Sequence, residues 1–123
     1  MANPNIVNVS SILGDIAGVD LTGTSATVLV SNAASSGKIY KVNFVSACND
    51  SGSTANLTLQ YTTGADGGGT GYKITDSVSI TANTSLVILD RASSIYLKEA
   101  NSLTVTASAG NAFHCVVSYE EIS

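Results

Sequence analysis

Residues 72–82, with the sequence YKITDSVSITA, alternate apolar and polar side chains along most of their length. One parity carries the apolar side chains Tyr72, Ile74, Val78, Ile80 and Ala82, and the other carries lysine, serine and threonine. Successive side chains of a β-strand point to opposite faces of its sheet. The segment therefore predicts a strand with one buried face and one solvated face.

The same alternation recurs along the chain, whereas the period of an amphipathic helix is nearly absent. Further strands are predicted at about 6–13, 24–31, 38–48, 57–61, 85–91, 95–99, 102–109 and 112–119. Glycine, serine and asparagine separate them, and the irregular residues 14–24 are interpreted as a loop. Gly110-Asn111 predicts a tight hairpin between the last two strands. The fold class predicted is all-β, a single antiparallel two-sheet β-sandwich, jelly-roll-like, with about eight strands; a closed barrel is the alternative.

The composition fits one small domain with an unusual surface. The chain has 123 residues, of which 44% are apolar and only 11% charged, against about 25% charged in ordinary soluble proteins. Serine and threonine, 18 and 13 residues, must supply much of the polar surface. The net charge is −4, so we expect no nucleic-acid partner and no membrane partner, both of which favour basic surfaces.

The N-terminal residues 1–12 are predicted to form an arm ahead of a sandwich domain at 13–123. The arm carries neither the positive charge nor the long apolar run of a signal peptide, so we expect synthesis in the cytoplasm. Its apolar residues could add a strand to a neighbouring protein by backbone pairing. The candidate docking residues are Ile6, Val7, Val9 and Ile12.

The two cysteines, Cys48 and Cys115, end or interrupt apolar faces of predicted strands. We expect both to be buried thiols, with a disulfide between them as the minority alternative. Four tyrosines fall on the apolar parity of their strands, which favours core packing over a sugar-binding platform. These are Tyr40, Tyr61, Tyr72 and Tyr119.

Catalytic and metal-binding patterns are weak. His114, the one histidine, lies on the polar parity of the last predicted strand and is interpreted as a surface or interface residue. Cys115 points to the other face and Cys48 is predicted buried, which disfavours a cysteine–histidine pair. Asn49-Asp50-Ser51-Gly52 lacks the spacing of a calcium loop and predicts a turn held by its asparagine. We expect no enzymatic activity, no cofactor and no metal.

An all-β chain with few charges and one proline has little to protect its strand edges. This favours a structural protein whose surface is partly covered by other subunits. Five segments also resemble small virion structural proteins of tailed phages that infect marine cyanobacteria. They are Met1–Ile12, Val30–Lys38, Ser94–Leu97, Ser102–Ser108 and Val116–Ile122.

The resemblance implies a β-sandwich protein on the virion, at the capsid surface, acting as a decoration or cement protein. Its partners would be the major capsid protein and copies of itself, plausibly as a homotrimer. Two alternatives stay open. One is a tail or fibre module that binds host glycans through loops such as 62–72, where a glycine-rich hairpin tip is predicted; the other is an enzyme built on His114.

Overall fold

The computed structural model describes residues 10–123, which form nine β-strands and two short 3-10 turns. The strands are β1 (Ile12–Leu21), β2 (Thr27–Asn32), β3 (Ile39–Asn49), β4 (Ala55–Thr62), β5 (Gly71–Ile80), β6 (Thr84–Leu89), β7 (Ile95–Leu97), β8 (Asn101–Ala107) and β9 (Phe113–Ile122). The 3-10 turns are Ala65–Gly67 and Arg91–Ser93. The all-β prediction is confirmed.

The strands form two antiparallel sheets that pack as a sandwich and do not close into a barrel. Sheet A has the order β1-β9-β3-β6. The short β7 also pairs with β3, at Tyr40–Val42, whereas β6 pairs with Val45–Asn49. Sheet B has the order β2-β8-β4-β5. With β6 and β7 counted as two pieces of one broken strand, this is the eight-stranded arrangement of a jelly roll. The predicted jelly-roll-like sandwich is therefore confirmed.

The core lies between the sheets and is built from the inward parity of the central strands. Its fully buried members are mainly leucine and valine, with one aromatic ring, Phe113. Within sheet B, Leu57 and Leu59 of β4 lie opposite Ala107 and Val105 of β8, and all four are buried. The alternation seen in the sequence of these strands thus becomes the buried layer of the molecule.

The interpretation of residues 14–24 as a loop is wrong, because β1 runs to Leu21. Its glycines and aspartates disfavour a strand locally, but all ten residues pair with β9 in an unbroken register, from Ile12 opposite Ile122 to Leu21 opposite Phe113. Tertiary pairing outweighs local strand propensity here.

The predicted hairpin at Gly110-Asn111 is also wrong. β8 lies in sheet B and β9 in sheet A, so residues 108–112 cross from one sheet to the other. The amide of Asn111 donates to the carbonyl of Leu21 at 3.0 Å, and Asn111 takes a positive φ of 56°. Gly110-Asn111 does form a turn, but the turn connects two sheets instead of two paired strands.

β5 departs from the alternation of residues 72–82. Its register with β4 shifts twice, between the partners of Leu57 and Leu59 and again before Gln60, and Ser77 has a φ of 51°. Each bulge moves the following side chains to the other face, so the two together return Tyr72 to the side of its partner Tyr61, at the edge of the sheet. Ile80 stays buried, but Tyr72 and Ile74 are exposed, so their predicted burial is wrong.

Candidate interaction surface

The side chains of sheet A that point away from sheet B form a broad surface, here called the outer face. Its central row pairs Cys48 with His114, and the next row pairs Ser46 with Val116. Small or uncharged side chains dominate it. The outer face includes Ile12, Gly14, Ile16, Gly18, Asp20, Lys41, Phe44, Ser46, Cys48, Val87, His114, Val116, Ser118 and Glu120.

Large apolar side chains are exposed where the outer face meets β1. Ile12, Leu13 and Ile16 keep 55%, 59% and 67% of their surfaces exposed. Ile12 and Ile16 lie on the outer face, while Leu13 has the opposite parity. β1 therefore presents apolar groups on both of its faces, which a strand at the rim of an isolated sandwich normally avoids.

Of the predicted docking residues, Ile12 is the one that the structure describes. It is the first residue of β1 and pairs with Ile122 of β9. Ile6, Val7 and Val9 lie outside the described residues.

Ile16 lies in residues 14–24, which are interpreted from the sequence as a loop, and Leu13 ends the predicted strand 6–13 but is not among the candidate docking residues. The signal was present, since Leu13, Ala17, Val19 and Leu21 share one parity with Asp15 and alternate with polar or small residues. Glycine and aspartate are uncommon in strands, so their presence in this segment favours a loop over a strand.

Cys48 is exposed on the outer face, so its predicted burial is wrong. The β3–β9 register shifts between Val42 and Phe44, and the extra residue, Asn43, forms a bulge. Beyond it Val45 and Ala47 point inward, and Cys48 points out beside His114. The alternation from Tyr40 to Cys48 therefore breaks at one residue.

Cys115 is buried as predicted, and it is a free thiol. Burial raises the pKa of its thiol to about 12, which keeps it protonated and unreactive at neutral pH. The structure contains both cysteines as free thiols, on opposite faces of sheet A.

His114 is an exposed residue of the outer face, as its parity predicts. Its Nε2 lies 3.4 Å from Oδ1 of Asp20 and 3.6 Å from Oδ2 of Asp50. A protonated imidazole would pair with both carboxylates. All three side chains are about half exposed, so water screens the pairing and weakens it.

The predicted tyrosine packing holds for three of four residues. Tyr40 stacks on Tyr119 with ring centroids 5.3 Å apart, and both pack partly against the core with Tyr61. Desolvation, together with the nearby carboxylate of Asp15, raises the pKa of Tyr119 to about 12. Tyr72 lies opposite Tyr61 on β5 and stacks on its ring, with centroids 6.0 Å apart, but remains exposed.

The glycine-rich segment after β4 is pinned to sheet B and does not form a free hairpin tip. The amide of Asp66 donates to Oγ of Ser31 at 2.8 Å, and the amide of Gly67 donates to Oγ of Ser102 at 2.9 Å. Ser102 in turn donates to the carbonyl of Gly64 at 2.9 Å. These bonds hold the 3-10 turn against β2 and β8.

The predicted turn at residues 49–52 is confirmed. Asn49 is fully buried, and its Oδ1 accepts from the amide of Ser51 at 3.0 Å. Its Nδ2 donates to the carbonyls of Ser53 and Ile80, each at 2.9 Å. One side chain thus fixes the turn and ties it to the end of β5.

The described residues 10–123 enclose no pocket, and no three of their histidine, cysteine, aspartate or glutamate side chains are placed to hold a metal ion. In the same range, no helix has the length and apolar character needed to cross a membrane. Two surfaces are candidates for function: the outer face, and the rim of β1 formed by the exposed side chains of Ile12, Leu13 and Ile16.

The chain matches no protein-family model and no curated protein sequence. Among solved structures it is similar to a subunit of Bacillus endospore appendages, described as a novel family of disulfide-linked pili, with a TM-score of 0.56 and 13% identity. That match covers 100% of this chain and 96% of the other. A protein of infectious bursal disease virus, Gt strain, matches with a TM-score of 0.42 and 10% identity, covering 93% of this chain and 31% of the viral one. At 13% identity, the similarity to the appendage protein shows that the two chains share a fold and nothing more.

Proposed function

We propose that the chain is a non-enzymatic structural subunit of a virus particle, a capsid decoration or cement protein that binds the assembled shell. The observation that carries the proposal is the apolar rim of β1, with Ile12, Leu13 and Ile16 more than half exposed. Leaving such groups in water is unfavourable, so a protein–protein contact there gains the free energy of their burial.

The low charge of the chain supports the same proposal. Charged residues make up 11% of the chain, and interface centres are depleted of charge because desolvating a charge is costly. A cement protein binds only the assembled shell, so its binding free energy adds to the stability of that state. The resemblance to phage virion proteins favours a phage capsid as the particle to which the chain binds.

A second candidate function is a subunit of a filamentous appendage. The similarity to the endospore appendage protein favours it, because that match covers both chains almost completely. One sandwich of this size is thus the whole folded unit in a pilus-forming protein. Both candidates make the chain an assembly subunit, and they differ in the geometry of the assembly.

The copy number in purified particles tests the proposed function. Quantitative mass spectrometry, with the major capsid protein as internal standard, should find hundreds of copies of this chain per particle. A few to a dozen copies would place it at a tail or fibre and contradict decoration. Its absence from particles, with long filaments in the same lysate, would favour the appendage candidate.

A further inference from the structure

The sandwich has a free strand edge at each end of each sheet, and three of the four are protected. At β5 two bulges distort the edge, and an exposed ion pair, Lys73 Nζ to Asp76 Oδ1 at 3.1 Å, lies along it. Bulges and charges are common ways of preventing an edge from pairing with another chain. β5 is therefore a poor acceptor of an added strand.

The edges at β2 and at β6 and β7 are protected differently. β2 carries a bulge between Val28 and Val30, and the 3-10 turn at Ala65–Gly67 packs against it. The opposite edge of sheet A is broken between β6 and β7, where Asp90 caps the 3-10 turn at Arg91–Ser93. The pieces contain six and three residues, which leaves each with few backbone groups to offer a partner.

β1 has none of these protections in the described part of the chain. It pairs with β9 over ten residues without a register shift. Ser11 and Ser123 exchange backbone bonds of 3.0 and 2.9 Å, and the carbonyl of Leu21 accepts from Asn111. Odd-numbered residues thus direct their backbone groups toward β9, so even-numbered residues direct theirs to the open side.

On the open side of β1, nearly all backbone amides and carbonyls are free to pair with an added strand. Backbone groups of Ile12, Gly14, Gly18 and Asp20 are available there. The amide of Ile16 instead donates to Oδ1 of Asp15 at 2.8 Å, a bond between exposed groups that an incoming strand would replace.

We propose that residues 1–9 of a second copy of this chain add to the open side of β1 as a further strand of sheet A. The proposal rests on the proposed function as an assembly subunit and names the contact between its copies. The segment contains Ile6 on one parity and Val7 and Val9 on the other. An added strand of this kind is apolar on both faces, as β1 is.

The charges of β1 favour this occupant over a second β1 strand. The charged side chains of β1 are Asp15 and Asp20, both acidic. Two paired β1 strands would bring four carboxylates onto one ribbon, whereas residues 1–9 contain no charged side chain. Like charges across a strand pair are destabilising.

The sequence before β1 also favours donation to another copy over folding back. Backbone bonds hold Ser10 and Ser11 to Ser123, so a hairpin onto the same β1 would have to reverse just before them. The central residues of tight hairpin turns need positive φ, which glycine and asparagine adopt most readily; the segment has no glycine, and β-branched Val9 follows its nearest asparagine, Asn8. The segment therefore suits a neighbour's edge.

The donor segment and the acceptor edge are different surfaces, so the contact is heterologous. Such contacts either close into a ring or continue as a filament. A ring of three would give the homotrimer that the resemblance implies.

Two complementary lesions in the full chain test the proposal by sedimentation velocity. Gly14→Pro removes an amide on the open side of β1 and no bond to β9, and the added side chain meets open space. Val7→Asp with Val9→Asp disables the donor segment. Wild-type protein should associate, each variant alone should sediment as a monomer of 12.4 kDa, and an equimolar mixture should form a species of two chains.

The mixture is the decisive arm, because one variant keeps the acceptor and the other keeps the donor. A donor variant that still associates alone, or a mixture that stays monomeric, would overturn the proposal, as would wild-type protein that is monomeric throughout. The first of these results would point to pairing of two β1 strands. Hundreds of copies per particle would still uphold the proposed function, so the two can fail separately.

Matched controls separate edge blocking from misfolding. Gly23→Pro lies in the loop after β1, where the added side chain also meets open space, and should associate as the wild type does. If Gly14→Pro lowers the melting temperature, Ile16→Lys replaces it as the edge lesion. Its control is Val87→Lys, a comparably exposed residue at the far side of the outer face; this variant should associate normally.

Discussion

At the residue scale, buried asparagines stabilise the turns at the ends of the strands. Asn32 and Asn49 are both fully buried, and each bonds two backbone carbonyls, Asn32 those of Lys38 and Leu97. Hydrogen bonds of this kind satisfy backbone groups that would otherwise be buried without a partner. The sequence Asn49-Asp50-Ser51-Gly52 predicts the turn, but no local pattern shows that the Asn49 side chain also reaches the carbonyl of Ile80.

Asn49→Ala should lower the free energy of unfolding by roughly 2–3 kcal/mol, since buried groups left without a partner cost about 1–3 kcal/mol each. Urea denaturation followed by tyrosine fluorescence measures the change. Asn56→Ala is the control, because Asn56 lies on the outward parity of β4 and should change stability by less than about 1 kcal/mol. Equal effects of the two substitutions would contradict the role given to Asn49.

At the element scale, bulges and edges account for what the sequence could not predict. Alternation located β3 and β5 within two residues of their observed ends, since period-two patterning follows from burial of one face. One inserted residue, such as Asn43, changes the parity of everything after it without leaving a distinctive pattern. The exposure of Cys48 therefore depended on pairing that only the fold reveals, and Tyr72 is exposed because β5 is an edge strand.

The bulge at Asn43 makes the two thiols chemically different. Native protein treated with iodoacetamide at pH 8 should be alkylated at Cys48 and not at Cys115, because burial raises the pKa of Cys115 to about 12 and leaves almost no thiolate. Peptide mapping by mass spectrometry identifies the labelled residue. Unfolding in urea should expose both thiols, and equal labelling of both in native protein would contradict the assigned faces.

At the scale of the whole molecule, the sequence predicted the fold class because many alternating segments together indicate a two-sheet sandwich, even where single strands are assigned wrongly. It did not predict which strands share a sheet: β8 and β9 are consecutive, yet they belong to opposite sheets. It also assigned residues 14–21 of β1 to a loop, and so missed the one long unprotected edge of the described residues. Both depend on contacts between segments far apart in the chain.

The low charge from which we expect no nucleic-acid or membrane partner also bears on assembly. β1 carries two charged side chains, Asp15 and Asp20, and the other charges on the outer face are few, so a contact there desolvates few charged groups. The proposed role as an assembly subunit requires that these surfaces be covered in the finished particle.

Cryo-electron microscopy of intact particles tests this claim most directly. The account predicts copies of the sandwich at regular positions on the shell, with the rim of β1 covered by a neighbouring subunit and Ile12, Leu13 and Ile16 out of contact with water. A map in which the chain is missing from the particle, or in which it sits on the shell with β1 open to solvent, would contradict it.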